Sequence, residues 1–275
     1  MATPLEKDIY LRSQLLLGED TLRRMAEARV LIFGVGGVGS WCVESLVRTG
    51  ITHITMVDMD KVCASNCNRQ LMATSETIGQ IKVEAMKKRL LEINPDACIE
   101  IINGVYDATT ADSFHMEQYD FVIDAIDSLA DKANLILQAT RLSKQQDLTF
   151  ISSMGAALRV DPLKVRKAEF WQVKGDALAR ALRNHFKKIG EFPAKKFQCI
   201  YSEEPALPNL GFIAEGQDVN AKKPRANGSL CTVTATFGLT IASIVIQKLM
   251  QGPTPSFLGK VINPSLREPR REGEK

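Results

Sequence analysis

The residues with chemical potential cluster in the first half of the chain. Gly34-Val-Gly36-Gly37-Val-Gly39-Ser40 lies where a short apolar run gives way to a helical pattern. Glycines there permit a tight turn and close backbone approach, and a helix N-terminus offers free N–H groups to an anion. Asp58 lies at the end of the next apolar run, at the spacing (about 20 residues) where an acid can accept ribose hydroxyls. Glycine loop and acid alone would suit a nicotinamide dinucleotide. Three further features argue for a triphosphate instead. Asp60 adds a second carboxylate, useful near a metal or the adenosine. Asn66-Cys-Asn68-Arg69-Gln70 places amides and a guanidinium after that strand, and Lys82 opens the next helical stretch, where its ammonium can reach back to phosphates. Such cations stabilise charge growing on an α-phosphate as a carboxylate attacks it and pyrophosphate leaves. Asp127, in Asp124-Ala-Ile-Asp127-Ser128, is a candidate magnesium ligand, with a helix N-cap as the alternative or additional role.

The surrounding pattern alternates strand and helix, as in a Rossmann-like, mostly parallel α/β sheet with flanking helices. Strands are predicted at Arg29 to Phe33, His53 to Val57, Cys98 to Ile102, Phe121 to Asp124 and Thr149 to Ser152. Helices are predicted at Val38 to Thr49, Lys82 to Ile93 and Leu129 to Leu142. Beyond Gly155 the rhythm changes. Arg159 to Pro162 reads as a strand entering a turn, Asp176 as the N-cap of a basic helix reaching Ile189, and Phe197 to Ser202 as a further strand. Residues 203–229 read as a Pro/Gly/Asn-rich loop with capacity to move, followed by a Thr-rich helix and a disordered charged tail over 267–275. The expected organisation is a single adenylating domain over 1–275. Its nucleotide-binding half is about 1–155, and about 156–250 is an appended C-terminal region facing substrate and interface.

Composition sets the outer bounds. A chain of 275 residues, 45% hydrophobic and 24% charged, can bury a substantial core. None of the six cysteines forms a Cys-x-x-Cys pair, so neither a zinc ribbon nor a dithiol redox motif is expected. Without basic-then-apolar blocks at the N-terminus, a reducing cytoplasm is the expected setting. Residues 227–247 carry no charge, nearly the length of a membrane span. Val233, Phe237, Ile241, Ile244 and Val245 repeat at helical spacing, favouring a core or subunit-interface helix. Stable membrane insertion is not expected, and peripheral membrane contact is the minor alternative. Charge is uneven: residues 159–198 hold eleven Lys or Arg against four Asp or Glu, which leaves −4 for the rest of a chain of net +3. A basic segment on an acidic remainder suits a polyanionic partner, although any one of these cations can equally be a solvated surface charge.

In order, Gly-x-Gly-Gly-Val-Gly-Ser, Asp-x-Asp, Asn-x-Asn-Arg-Gln, Gly79-Gln-Ile-Lys82 and Asp-x-x-Asp resemble the ubiquitin-activating-enzyme-like superfamily. That resemblance implies ATP held by Gly34, Gly36, Gly37, Gly39, Ser40, Asp58, Asp60, Asn66 and Asn68. It further implies phosphate contacts from Arg69 and Lys82, magnesium on Asp127, a homodimer, and Arg12 reaching the neighbouring subunit's ATP. Absence of two Cys-x-x-Cys pairs separates the chain from the zinc-bearing sulfur-carrier activators, so no zinc is expected. A monovalent cation remains open.

The sequence is similar instead to the tRNA threonylcarbamoyladenosine dehydratase branch. The likeness rests on Gly39-Ser-Trp-Cys-Val-Glu-Ser-Leu-Val-Arg-Thr-Gly50, Asp58-Met-Asp-Lys-Val-Cys63 and Val122-Ile-Asp-Ala-Ile-Asp-Ser128. It continues through Arg159-Val-Asp-Pro162, Cys199-Ile-Tyr-Ser-Glu203 and Val233-Thr-Ala-Thr-Phe-Gly238. Ser153-Met-Gly155 departs from a more glycine-rich turn. The branch implies ATP-dependent adenylation of the carboxylate of threonylcarbamoyladenosine in tRNA, followed by ring closure. Arg180, Arg183 and Lys187, on one helix face, are then candidate tRNA contacts. Cys199 is the candidate thiol for accepting sulfur from a cysteine-desulfurase partner, against the alternative of a buried strand cysteine. Competing readings are adenylation of a ubiquitin-like sulfur carrier's C-terminus, nicotinamide-dependent redox chemistry, and a nucleotide-gated scaffold.

Overall fold

Seven strands form one sheet in the computed structural model, which describes residues 9–210 and 227–251. They are β1 (Arg29–Phe33), β2 (His53–Val57), β3 (Cys98–Ile102), β4 (Phe121–Asp124), β5 (Thr149–Ser153), β6 (Val165–Glu169) and β7 (Gln198–Ser202). Their order is β3-β2-β1-β4-β5-β7-β6, parallel throughout except for β6, which runs antiparallel to β7. The helices are α1 (Leu11–Leu17), α2 (Glu19–Glu27), α3 (Gly39–Thr49), α4 (Lys82–Ile93), α5 (Leu129–Gln145), α6 (Ala177–Ile189) and α7 (Cys231–Gln251).

The short apolar strands are buried on both faces, the expected condition of a parallel sheet covered by helices. Ile32 and Met56 enter a core layer with Leu46 of α3 and Phe237 of α7. Leu31, Phe33 and Val57 point the other way, into a layer with Ile136 of α5 and Phe186 of α6. Strands from both halves of the chain thus share one sheet. Its order reverses between β1 and β4, and open α/β sheets bind ligands outside the carboxyl ends of strands at such a point.

By length and composition α7 could cross a membrane. In the fold it lies against α3, with Val233, Phe237, Ile241 and Val245 in the core. Gly238 explains how closely the two helices approach. A Cβ there would run into the carbonyl oxygen of Val38 and stand 2.9 Å from Cys42 N, so the helices meet backbone to backbone. One turn earlier, Thr234 touches the place where a side chain at Gly37 would begin.

The second half departs from the sequence expectation. Residues 159–162 are not a strand. Asp161 caps a short 3-10 turn at Pro162–Lys164, accepting from Leu163 N at 2.9 Å, and the strand is the next segment, β6. β6 sits at the sheet edge with Arg166 and Lys167 exposed, so its sequence lacks the apolar run that marks an interior strand. Asp176 does cap α6, through Ala179 N at 2.8 Å. The N-cap of α5 is Ser128 rather than Asp127, and α5 continues to Gln145. The expected tail over 267–275, and residues 211–226 of the expected loop, lie outside the described residues.

Candidate active site

At the end of β1 the chain turns sharply at Gly34, whose φ of +90° is a left-handed conformation that favours glycine. Gly34 N donates to Val57 O at 2.8 Å, and a Cβ would stand 2.7 Å from Ala125 O, so the loop passes close over the ends of β2 and β4. Gly39 is equally constrained, because a Cβ would collide with Gly34 O. No side chain caps α3; Ser40 N and Cys42 N donate to Gly36 O and Val38 O, so Gly39 N and Trp41 N are the first-turn N–H groups left for an anion. Ser40, buried, plays a bracing part: its hydroxyl donates to Gly36 O at 2.6 Å and accepts from Leu71 N at 3.1 Å.

Three charged groups line one side of this loop. Asp58 accepts from Val35 N at 2.8 Å through one oxygen and from Asp60 N at 2.9 Å through the other. Its direction is therefore fixed, and each carboxylate oxygen keeps a lone pair for a ribose hydroxyl. Lys82, 5% exposed, reaches Asp60 Oδ2 at 2.7 Å and lies 3.9 Å from Asp58 Oδ1. Its backbone N–H donates to Asp60 O at 2.9 Å, which ties the start of α4 to the same segment.

Residues 66–70 close the other side. Asn66 shapes the turn, accepting from Cys63 N at 3.0 Å. Asn68 donates to Ser229 O at 2.9 Å and accepts from Arg69 Nη1 at 2.9 Å. Arg69 also donates to Ser65 O at 2.8 Å, and Trp41 Nε1 of α3 donates to its carbonyl at 3.0 Å. The Arg69 stem lies 3.3 Å from the Cβ position of Gly37, so its guanidinium is carried beside the phosphate loop. Gln70 was not singled out from sequence. It is buried next to Gly36, and its Oε1 has no partner among the described residues.

Beneath the loop lies a pair that sequence reading missed. Lys132 Nζ sits 2.8 Å from Asp124 Oδ2, and both side chains are fully buried. Ser152 Oγ donates to the same oxygen at 2.6 Å, Ile126 N donates to Oδ1 at 3.1 Å, and Lys132 donates to Ile126 O at 2.9 Å. This network holds the 124–126 turn under Gly34. Asp124 was legible within its motif, whereas a lysine on an amphipathic helix ordinarily reads as surface. Asp127 follows as an exposed carboxylate just past β4.

Magnesium bound with ATP takes one or two carboxylates plus phosphate oxygens. Asp127 fits that donor set: it is exposed, it follows the 125–126 turn that lies against Gly34, and its side chain has no partner among the described residues. Among the described residues no three His, Cys, Asp or Glu side chains converge to form a larger metal site.

Other expected residues fall elsewhere. Arg12 is exposed on α1. Arg180 and Lys187 are exposed on α6, but Arg183 is tied inward, donating to Phe170 O and Val173 O at 3.0 Å and lying over the Phe170 ring. It braces the turn before α6 and is withdrawn from the basic face. Cys199 is fully buried in β7, and burial pushes its thiol pKa well above the ordinary value. A thiol that stays protonated and shielded is a poor sulfur acceptor, so the alternative of a buried core cysteine is the one the structure supports.

A family model described as the ThiF family matches residues 10–273. The chain belongs to the ThiF family. Among curated relatives, a tRNA threonylcarbamoyladenosine dehydratase of Haemophilus influenzae is 36% identical over 239 residues, which is 84% of this chain and 89% of the relative. The Escherichia coli enzyme of that name is 32% identical over 247 residues, 86% of this chain and 91% of the relative. The crystal structure of E. coli tRNA N6-threonylcarbamoyladenosine dehydratase in complex with ATP superimposes with a TM-score of 0.80 at 30% identity. That match covers 92% of this chain and all of that one. The likeness of this ThiF-family chain therefore runs through its second half as well as its phosphate loop.

Proposed function

We propose that this ThiF-family protein dehydrates threonylcarbamoyladenosine in tRNA next to the anticodon at the expense of ATP. The observation that carries the reading is the grouping of Lys82 and Arg69 on either side of an uncapped, glycine-lined helix start. Relatives similar along more than four-fifths of both chains point to the same substrate.

The chemistry follows from the geometry. The N–H groups at the start of α3 hold a phosphate, and Asp58, fixed by two backbone amides, accepts from the ribose. The side-chain carboxylate of the modified nucleoside attacks the α-phosphorus, and pyrophosphate leaves. Lys82 and Arg69 offset the charge that develops. A nitrogen of the same modification then attacks the acyl carbon, closes a ring and expels AMP, which carries off the carboxylate oxygen that appears as the lost water. That second step is intramolecular, so proximity replaces a protein nucleophile and Cys199 is not required. Magnesium, held by Asp127 and the phosphates, would lower the charge barrier at the triphosphate.

The finer assignments belong to the same reading. A homodimer would let Arg12 of one subunit approach the other's nucleotide, and exposed Arg180 and Lys187 would meet the tRNA backbone in the cytoplasm. The region up to about 155 serves the nucleotide, and the region after it serves substrate.

The test is direct. The protein is incubated with ATP, magnesium and tRNA bearing threonylcarbamoyladenosine, and nucleosides from a mild digest are weighed by mass spectrometry. ATP-dependent loss of one water from that nucleoside supports the reading. An unchanged nucleoside, with pyrophosphate exchange instead stimulated by a carrier-protein tail, replaces it with the sulfur-carrier alternative.

A further inference from the structure

Beside the nucleotide loop, on the same edge of the sheet, lies a cavity of about 530 Å³. That is the size range of small-ligand sites (about 300–1,000 Å³). Its walls are largely apolar, including Leu158, Val160, Leu207, Leu210 and Leu230, and one charged residue joins them: Arg159. Cavity and phosphate loop are physically coupled. Ser229, in the cavity wall, accepts from Asn68, and Asn68 accepts in turn from Arg69.

Arg159 is only 4% exposed, yet no carboxylate pairs with it among the described residues. The nearby acid is already committed, since Glu204 accepts from Val160 N and Asp161 N at 3.0 Å. Among the described residues the Arg159 guanidinium makes one hydrogen bond, Nη1 to Leu158 O at 3.3 Å, and its buried Nε has no partner. A buried cation without an anion is costly. The Nε–Nη2 edge left over is the edge that matches a carboxylate with two parallel hydrogen bonds.

The backbone at this point is held in place at some strain. Leu158 has φ +59°, which is uncommon for a bulky side chain. It is over-determined by its neighbours: Leu158 N donates to Gly228 O at 2.8 Å and its carbonyl accepts from Leu207 N at 2.9 Å. Those two bonds bring together the three segments that wall the cavity and set the direction of Arg159.

We propose that this cavity is the acceptor subsite and that the Nε–Nη2 edge of Arg159 grips the free carboxylate of the modified nucleoside, with the leucine walls receiving its apolar surface. The assignment rests on the functional reading above and gives it a specificity residue. Two hydrogen bonds leave further lone pairs on the carboxylate oxygens, so gripping it does not prevent its attack on phosphorus.

The experiment compares the whole protein with Arg159→Met and Arg159→Lys. Three quantities are measured: ATP affinity, steady-state dehydration kinetics, and binding of two otherwise identical tRNAs with and without the threonylcarbamoyl group. For Arg159→Met the expected result is a rise in KM of about tenfold or more, the scale of a lost hydrogen bond to charge. Preference for the modified tRNA should vanish while ATP affinity is unchanged, and Arg159→Lys should recover part of the preference. Should the methionine variant fail to fold, the lysine variant decides alone, by a partial loss of preference. Unchanged KM and preference in the folded variants would overturn the subsite while leaving the proposed function intact. Equal weakening toward both tRNAs would overturn it too, because Arg159 would then hold a backbone phosphate. A wild-type protein with no preference and no dehydration would overturn this assignment and the functional reading together.

Discussion

Lys132 Nζ and Asp124 Oδ2 stand 2.8 Å apart with both side chains wholly removed from solvent, directly beneath the turn that Gly34 crosses. Removing one partner strands a buried charge, whereas removing both does not. Lys132→Met should therefore destabilise the fold by about 3–5 kcal/mol. The double variant Lys132→Met with Asp124→Leu should recover much of that loss. Urea unfolding of the three proteins checks this, and equal stability of both variants would refute it.

Lys82 behaves differently because its partner Asp60 is mostly exposed. Asp58, 3.9 Å from the same ammonium and largely buried, keeps its hydrogen bonds from Val35 N and Asp60 N, so Lys82→Ala should fold and melt close to the parent. Its adenylation rate, read by pyrophosphate exchange, should fall about 10²–10³-fold, the usual scale for removing a group aimed at developing charge.

Gly238→Ala tests the seam between α7 and α3. The added methyl would run into the Val38 carbonyl and stand 2.9 Å from both Cys42 N and Trp41 Cβ, and overpacking of this kind costs about 1–3 kcal/mol. Because the carbonyl belongs to the phosphate loop, ATP affinity should fall as well as the melting temperature. Gly228→Ala, whose Cβ would meet nothing nearer than 3.9 Å, is the control.

Alkaline pH should unfold the protein through its buried thiols. Burial raises the pKa values of Cys199 and Cys42 above the ordinary 9.0. Above pH 9.0 the unfolded chain gives up these protons while the folded one retains them, so this contribution to stability is present below 9.0 and lost as pH rises past it. Denaturant midpoints across that range measure the fall. At neutral pH, alkylation should label exposed Cys63 and Cys67 and spare Cys42 and Cys199 in the native protein.

The parts of this molecule that sequence made readable share one property: their signals are local. β1 and β4 carry uninterrupted apolar runs, Val30 to Phe33 and Phe121 to Ile123, because both faces are buried, and the glycine loop, Asp58, Arg69 and Lys82 fall within one continuous stretch of chain. β6 escaped because an edge strand of Val-Arg-Lys-Ala-Glu needs no apolar alternation. Arg183 looked like its basic neighbours until the carbonyls of Phe170 and Val173 appeared next to it. Lys132 and Arg159 were opaque for the same reason. Nothing adjacent in sequence shows that a cation is to be buried, since the burial is made by segments far away along the chain.

The contact of Gly238 with Val38, and of Thr234 with Gly37, joins positions about two hundred residues apart. A nascent chain emerging from the ribosome would present the glycine loop long before the helix that supports it. Nucleotide affinity should accordingly arise late in synthesis, once residues 231–251 are free to dock, and the acquisition of ATP becomes a report that the chain has finished folding.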